Sequence, residues 1–143
     1  MKEIFKNIFV VLIFIFIVIV FYLINEYSSK ISSQGVYTCC KITGFNGFKS
    51  GPGLLFDIYY RNDTISGNCI QNGDILKKTE MKDKYFVIRF VPNHPELKRV
   101  LLRYELNESI AKQIDSGVST LGQILILPGV KIHEEIVNFD DGL

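Results

Sequence analysis

The stretch "LLFDIYYRNDTISGNCIQ" (residues 54–71) alternates its side chains with a period of two, stops at a polar triplet and then resumes. Leu54, Phe56, Ile58 and Tyr60 fall on one face of an extended chain, and Leu55, Asp57 and Tyr59 on the other. Asn62 and Asp63 tolerate the backbone conformations of tight turns, so the stretch predicts two strands, Leu54 to Tyr60 and Thr64 to Gln71, joined as a hairpin. Gly67 is read as the mark of a bulge in the second strand.

The same punctuation extends outward in both directions. Upstream, Gly35 to Phe45 reads as a strand ended by the loop "NGFKSGPG", with Val36, Thr38, Cys40 and Ile42 sharing a face. Downstream, "NGDILKKTEMKDK" is polar and predicts a loop with one helical turn. Tyr85 to Val91 then predicts a strand with Phe86, Ile88 and Phe90 on one side, broken at "PNHPE" because proline cannot donate to a ladder. A further strand follows from about Arg99 to Tyr104. Asn107 to Ser116 predicts a short helix, with Asn107 as N-cap, Ile110 and Ile114 on one face and Gly117 past its end. "QILILPGVKI" reads as two extended runs around a Pro-Gly turn, and "NFDDGL" as a frayed tail.

The amino-terminal segment is of another kind. "IFVVLIFIFIVIVFYLI" (residues 8–24) is apolar without interruption, and at about 1.5 Å per helical residue it nearly spans a hydrocarbon core of roughly 30 Å. Ile4 and Phe5 extend it, and Lys6 can reach back to the headgroups. A cleaved signal peptide is the rival reading. Its apolar core usually covers only about 7–15 residues and ends at small residues, a pattern that "NEYSSKISSQG" fits poorly. The predicted organisation is a transmembrane signal-anchor over 1–25, a linker over 26–34, a mainly β domain over 35–139 and a frayed tail over 140–143. Lys2 and Lys6 before the span favour a cytoplasmic amino end, which would leave 26–143 outside the cytoplasm in a single-pass arrangement.

The fold class is therefore mainly β: a transmembrane helix followed by a small antiparallel sheet of about five to seven strands, or a partial barrel, with one short helix. The 143 residues carry a net charge of +1, which argues against nucleic acid as a partner. The charge is uneven, because Lys77 to Arg103 holds eight basic and three acidic residues, whereas Tyr104 to Leu143 holds two basic and seven acidic.

"FDIYYRNDTISG" followed by "MKDKYFVIRFVPNHPELKRVLL" resembles small membrane-anchored bacterial β domains of unknown function. In these an aromatic hairpin precedes a G-K-Y-x-V-x-Y strand, a Pro-Asn-x-Pro turn and a hydrophobic strand. The resemblance spans about Gly35 to Tyr104. Asp83 stands where that pattern has glycine and Phe90 where it has tyrosine. The resemblance implies the hairpin topology and the anchor, and carries over no catalytic residues.

No residue pattern specifies a reaction. The adjacent Cys39 and Cys40 lack the spacing of zinc ligands or of a redox C-x-x-C pair, His94 and His133 stand apart, and "GFNGFKSGPG" lacks the spacing of a phosphate loop. No metal, cofactor or catalytic residue is predicted. On a strand Cys40 points inward while Cys39 shares the solvent side with Lys41, so an oxidising compartment would leave Cys40 and Cys69 as the candidate disulfide. Aromatics in alternating strands are more often core than groove, yet Tyr59, Tyr85 and the exposed His94 form the candidate partner surface. The expected function is a membrane-anchored accessory or interaction domain without enzymatic activity. It would hold the lipid bilayer through residues 4–24 and engage an envelope protein or other envelope component. The alternative is a ligand-binding or enzymatic module using an aromatic groove.

Overall fold

The computed structural model describes residues 2–48, 51–70 and 78–136. It divides into two units, 1–34 and 35–143.

The first unit is one helix, α1 (Lys2–Gln34). From Asn7 to Gln34 it is long and apolar enough to cross a membrane. The helix also runs through the segment read from sequence as a linker. Nothing between Asn25 and Gln34 breaks it: Glu26 and Lys30 form an i,i+4 ion pair of 2.8 Å, and Ser33 Oγ bonds back to the Ser29 carbonyl at 2.8 Å. The helix ends where Gly35 arrives.

The second unit is a six-stranded antiparallel sheet with short helices, as the alternation predicts. Its strands are β1 (Val36–Phe48), β2 (Gly51–Tyr60), β3 (Asp63–Ile70), β4 (Tyr85–Val91), β5 (His94–Leu106) and β6 (Lys131–Ile132), in the order β3-β2-β1-β4-β5-β6. Among the described residues three helices accompany them: α2 (Lys78–Met81), α3 (Glu108–Gln113) and α4 (Leu121–Leu125). The β1–β2 hairpin extends into the segment read as a loop, with Phe48 opposite Gly51. The "NFDDGL" tail lies outside the described residues.

Period-two alternation sorts the apolar residues onto two faces. One face packs Cys40, Ile42, Leu54, Phe56, Ile58, Phe86, Ile88, Phe90 and Leu102 into a core, joined by Met81 from α2 and by Ile136. The rings and branched chains that the sequence assigns to a shared core, Phe56, Ile58, Phe86, Ile88 and Phe90, all lie in it. Burying each contributes on the order of 1.5–3 kcal/mol. The other face carries Cys39, Val87, Leu101, Tyr104 and Leu106 against Ile110, Ala111 and Ile114 of α3 and Ile124 of α4. The sheet is therefore covered on both sides, which the sequence reading, with one short helix, did not provide for.

The sheet curls. A Cβ built on Gly67 of β3 would come within 2.9 Å of the Phe56 ring and 3.1 Å of Lys98 Nζ on β5, although three strands separate β3 from β5 in the sheet order. Gly67 pairs with Phe56 without a register shift, so it serves close approach and not a bulge. Real irregularities lie elsewhere. The β1–β2 register shifts at Thr43, between Ile42 and Gly44, and the β4–β5 register jumps from Phe86–Glu105 to Val87–Leu101. Such insertions bend a strand and increase its twist.

Two segments differ from their sequence reading for local reasons. "PNHPE" does not end the pairing: Val91 already faces His94, so Pro92 and Asn93 make a two-residue turn and β5 begins at once. "QILI" is helical. Thr120 N donates to Gln123 Oε1 at 3.2 Å, one half of a capping box, and Ile124 turns into the core. Gly129 has φ +106, as the second central residue of a Pro-Gly type II turn requires.

Asp83, which stands where the resembled pattern has glycine, has φ +63, and its N–H bonds to the Ile42 carbonyl at 2.9 Å. Glycine reaches this conformation without a Cβ penalty. Asp83→Gly should therefore raise the stability of the domain by up to about 1 kcal/mol, and Asp83→Val should lower it, read as shifted denaturant midpoints of the full chain in detergent.

Candidate functional site

Helix α3 is pinned to the middle of the sheet by the two residues before Cys40. Asn107 caps its start, the side chain accepting from Ile110 N at 2.9 Å. At its other end the final carbonyls have no partner within the helix. The Cys39 thiol donates to the Ala111 carbonyl at 3.3 Å, and the Thr38 hydroxyl lies 3.0 Å from the Ile114 carbonyl and 2.6 Å from that of Tyr59. Gly117, φ +82, donates its N–H to Ile114 as well. The chain leaving the helix then stays on the sheet. Arg61 N bonds the Asp115 carbonyl at 2.7 Å, and Tyr37 and Val118 exchange two bonds of 2.8 Å.

This arrangement corrects the sequence reading of Cys39. It is not on a solvent face beside Lys41 but is 1% exposed, because α3 covers that side of β1. Burial, with the nearby Asp115 charge adding to it, pushes its thiol up to about 12. Cys40 is fully buried in the other core and its thiol is pushed well up by burial, while burial raises Cys69 to about 11 against a smaller opposing effect of Lys98. All three are free thiols. Cys40 faces Ile58 and Cys69 faces Leu54, on opposite sides of β2. Four residues of strand separate those partners by about 13 Å along the sheet. Since a disulfide needs Cα atoms within about 7 Å, the Cys40–Cys69 bridge considered from sequence does not form.

A cleft of about 120 Å³ opens beside α3. Cys39 and Ala111 line its floor, Tyr59 and Tyr85 its sheet side, and Glu108, Lys112 and Asp115 its helix side. Tyr59 lies on β2 and Tyr85 on β4, the two strands that flank β1, and their rings meet across it with centroids 6.1 Å apart at 50°. Partial burial, and then the neighbouring Tyr85 and Asp57, raise the Tyr59 phenol above its ordinary range. Glu108 and Lys112 form an i,i+4 ion pair of 2.9 Å, and Lys41 lies over the Tyr85 ring at 5.6 Å.

The structure therefore brings together two of the three residues assigned to a partner surface and separates the third. His94 sits at the far end of β4 from Tyr85, about 20 Å away by strand rise, exposed and 3.1 Å from Glu96. Tyr60, Phe86 and Phe90 are on the opposite face, where Tyr60 meets Phe90 edge-on at 5.2 Å. The helix-side members, Glu108 and Lys112 on α3 and Asp115 just past its end, were missed. Their only sequence signal is the Glu-to-Lys i,i+4 spacing.

His133 does not stand apart as the sequence suggested. It is 8% exposed, with Nε2 at 2.7 Å from Glu105 and Nδ1 at 3.2 Å from Glu135. Glu105 also meets Lys84 at 3.0 Å and Lys131 at 3.6 Å. Among the described residues no three His, Cys, Asp or Glu side chains are grouped to hold a metal ion.

Burial acts to raise the Glu105 carboxyl, but the hydrogen bonds from His133 and Lys84 and the charges of Lys84 and Lys131 together hold it below its ordinary value. A lowered folded-state value contributes stability above the unfolded value, and that contribution disappears as pH falls through the folded one. Glu105→Gln should thus be less stable than the parent at neutral pH, with the gap closing below about pH 4, as followed by denaturant midpoints across pH. Thr38→Val should cost about 1–3 kcal/mol by removing the hydroxyl that bridges the Tyr59 and Ile114 carbonyls. Hydrogen exchange should then quicken in α3 ahead of β1.

Comparison with protein-family models, with curated proteins and with solved structures finds no match for this chain.

Proposed function

We propose that this chain is a membrane-anchored, non-enzymatic binding module that engages an envelope partner through the Tyr59–Tyr85 cleft. Helix α1 would be the anchor, with the amino end cytoplasmic and residues 26–143 outside. The lysines at positions 2 and 6 support that orientation.

The observation that carries the reading is the composition of the cleft. It has an apolar floor, two tyrosines that offer large contact area at low entropic cost, and a charged rim, which is the make-up of protein recognition sites. Its size fits the same purpose. At about 120 Å³ it is well below the roughly 300–1,000 Å³ of pockets that enclose a whole small molecule, so it suits one protruding group of a larger partner. The thiol on its floor favours binding over catalysis: at about 12 it stays protonated, and its hydrogen bond to Ala111 is spent on structure.

A photo-cross-linking amino acid at position 85 or 59 of the full chain in its native membrane should give a discrete adduct, and one at position 94 should not. Equal labelling from all three positions, or none from 85 and 59, would overturn the reading. In the same membranes a reporter that is active only in the cytoplasm, fused after Leu143, should be silent.

A further inference from the structure

We infer that the cleft is built for a guanidinium group, the side chain of an arginine on the partner; this rests on the binding-module reading above. The first argument is scale. A cavity of about 150 Å³ holds one benzene ring, so a cleft of about 120 Å³ receives a single planar group.

The second argument is charge. Glu108 is neutralised by Lys112 at 2.9 Å, whereas the Asp115 side chain makes no hydrogen bond or ion pair among the described residues. Lys41 over Tyr85 also acts on Glu108, so Glu108 is met by two cations and Asp115 is the carboxylate on the lining left to meet an incoming one. Lys41 already lies over Tyr85 and faces Asp57 across the β1–β2 ladder. The ring of Tyr59 carries no cation among the described residues, and it is the one left for an incoming group.

The third argument is shape. Aromatic faces attract cations, and guanidinium is the cation that can lie flat on a ring while its edge gives two parallel N–H donors to a carboxylate. An ammonium group can do only one of these well. The same contact occurs among the described residues, with Arg89 over Tyr37 at 4.9 Å and Arg61 over Tyr60 at 5.0 Å.

The test is titration of the full chain in detergent micelles with N-acetyl-arginine amide, following the ring signals of labelled tyrosines. The expected result is a saturable shift at Tyr59 and Tyr85, weakened at least about 5-fold in Asp115→Asn. Lys112→Gln, which releases Glu108, should tighten binding about 2- to 3-fold, and the lysine amide should bind less well than the arginine amide. An unchanged response in Asp115→Asn, or an equal one with N-acetyl-norleucine amide, would overturn the proposal. Cross-linking from position 85 combined with no arginine response would overturn the cation preference alone and leave the binding module standing.

Discussion

The two side chains of Thr38 and Cys39 hold together what lies on the helical face of the sheet. A short helix such as α3 gains little from its own backbone, since nucleation is costly and six residues are too few to be stable alone. What fixes it is a pair of side chains from β1, the Cys39 thiol on the Ala111 carbonyl and the Thr38 hydroxyl on that of the Ile114 C-cap. Once the helix is held there, Ile110, Ala111 and Ile114 close the second core, Asp115 receives the Arg61 amide, and Val118 returns to pair with Tyr37. The cleft follows from the same placement, because its helix-side residues sit on the outer turns of α3 and just past its end.

The pleat then gives the adjacent cysteines different surroundings. Cys40 enters the curled interior among Ile42, Phe56 and Phe86, and Cys39 enters the sheet–helix layer. Each is a small apolar filler, and the high values of both thiols follow from burial. A position such as Cys39 combines filling with donation, which neither alanine nor valine could supply.

Much of this was legible from the chain. Strand β4 was read correctly at both ends because "YFVIRFV" is bounded by charged and turn residues and is rich in β-branched and aromatic side chains. The Asn107 cap was legible for the same reason, since it has a local mechanism, but the helix ends at Gln113 with Ile114 as its C-cap, three residues before the Gly117 read as its stop. Segments decided by tertiary context were not. "QILIL" is too short for its periodicity to separate strand from helix, and Ile124 becomes helical because a second sheet face needs covering. Cys39 looked exposed because alternation predicts which residues share a face but not whether a later segment will cover it. The cleft combines residues from β1, β2, β4 and α3, and only the ladder register, with Cys39 facing Tyr59 on one side and Val87 on the other, brings Tyr59 and Tyr85 together.

One residue, Gly35, separates the last residue of α1 from the first of β1, and β1 lies inside the sheet with β2 and β4 on its two sides. If α1 is held in a bilayer, any pull between membrane and partner enters the domain through this strand. Tension along β1 is shared by two hydrogen-bond ladders loaded in parallel, whereas a tether on an edge strand would unzip one ladder a bond at a time. A domain tethered in this way would carry such a load on a strand that is hard to extract.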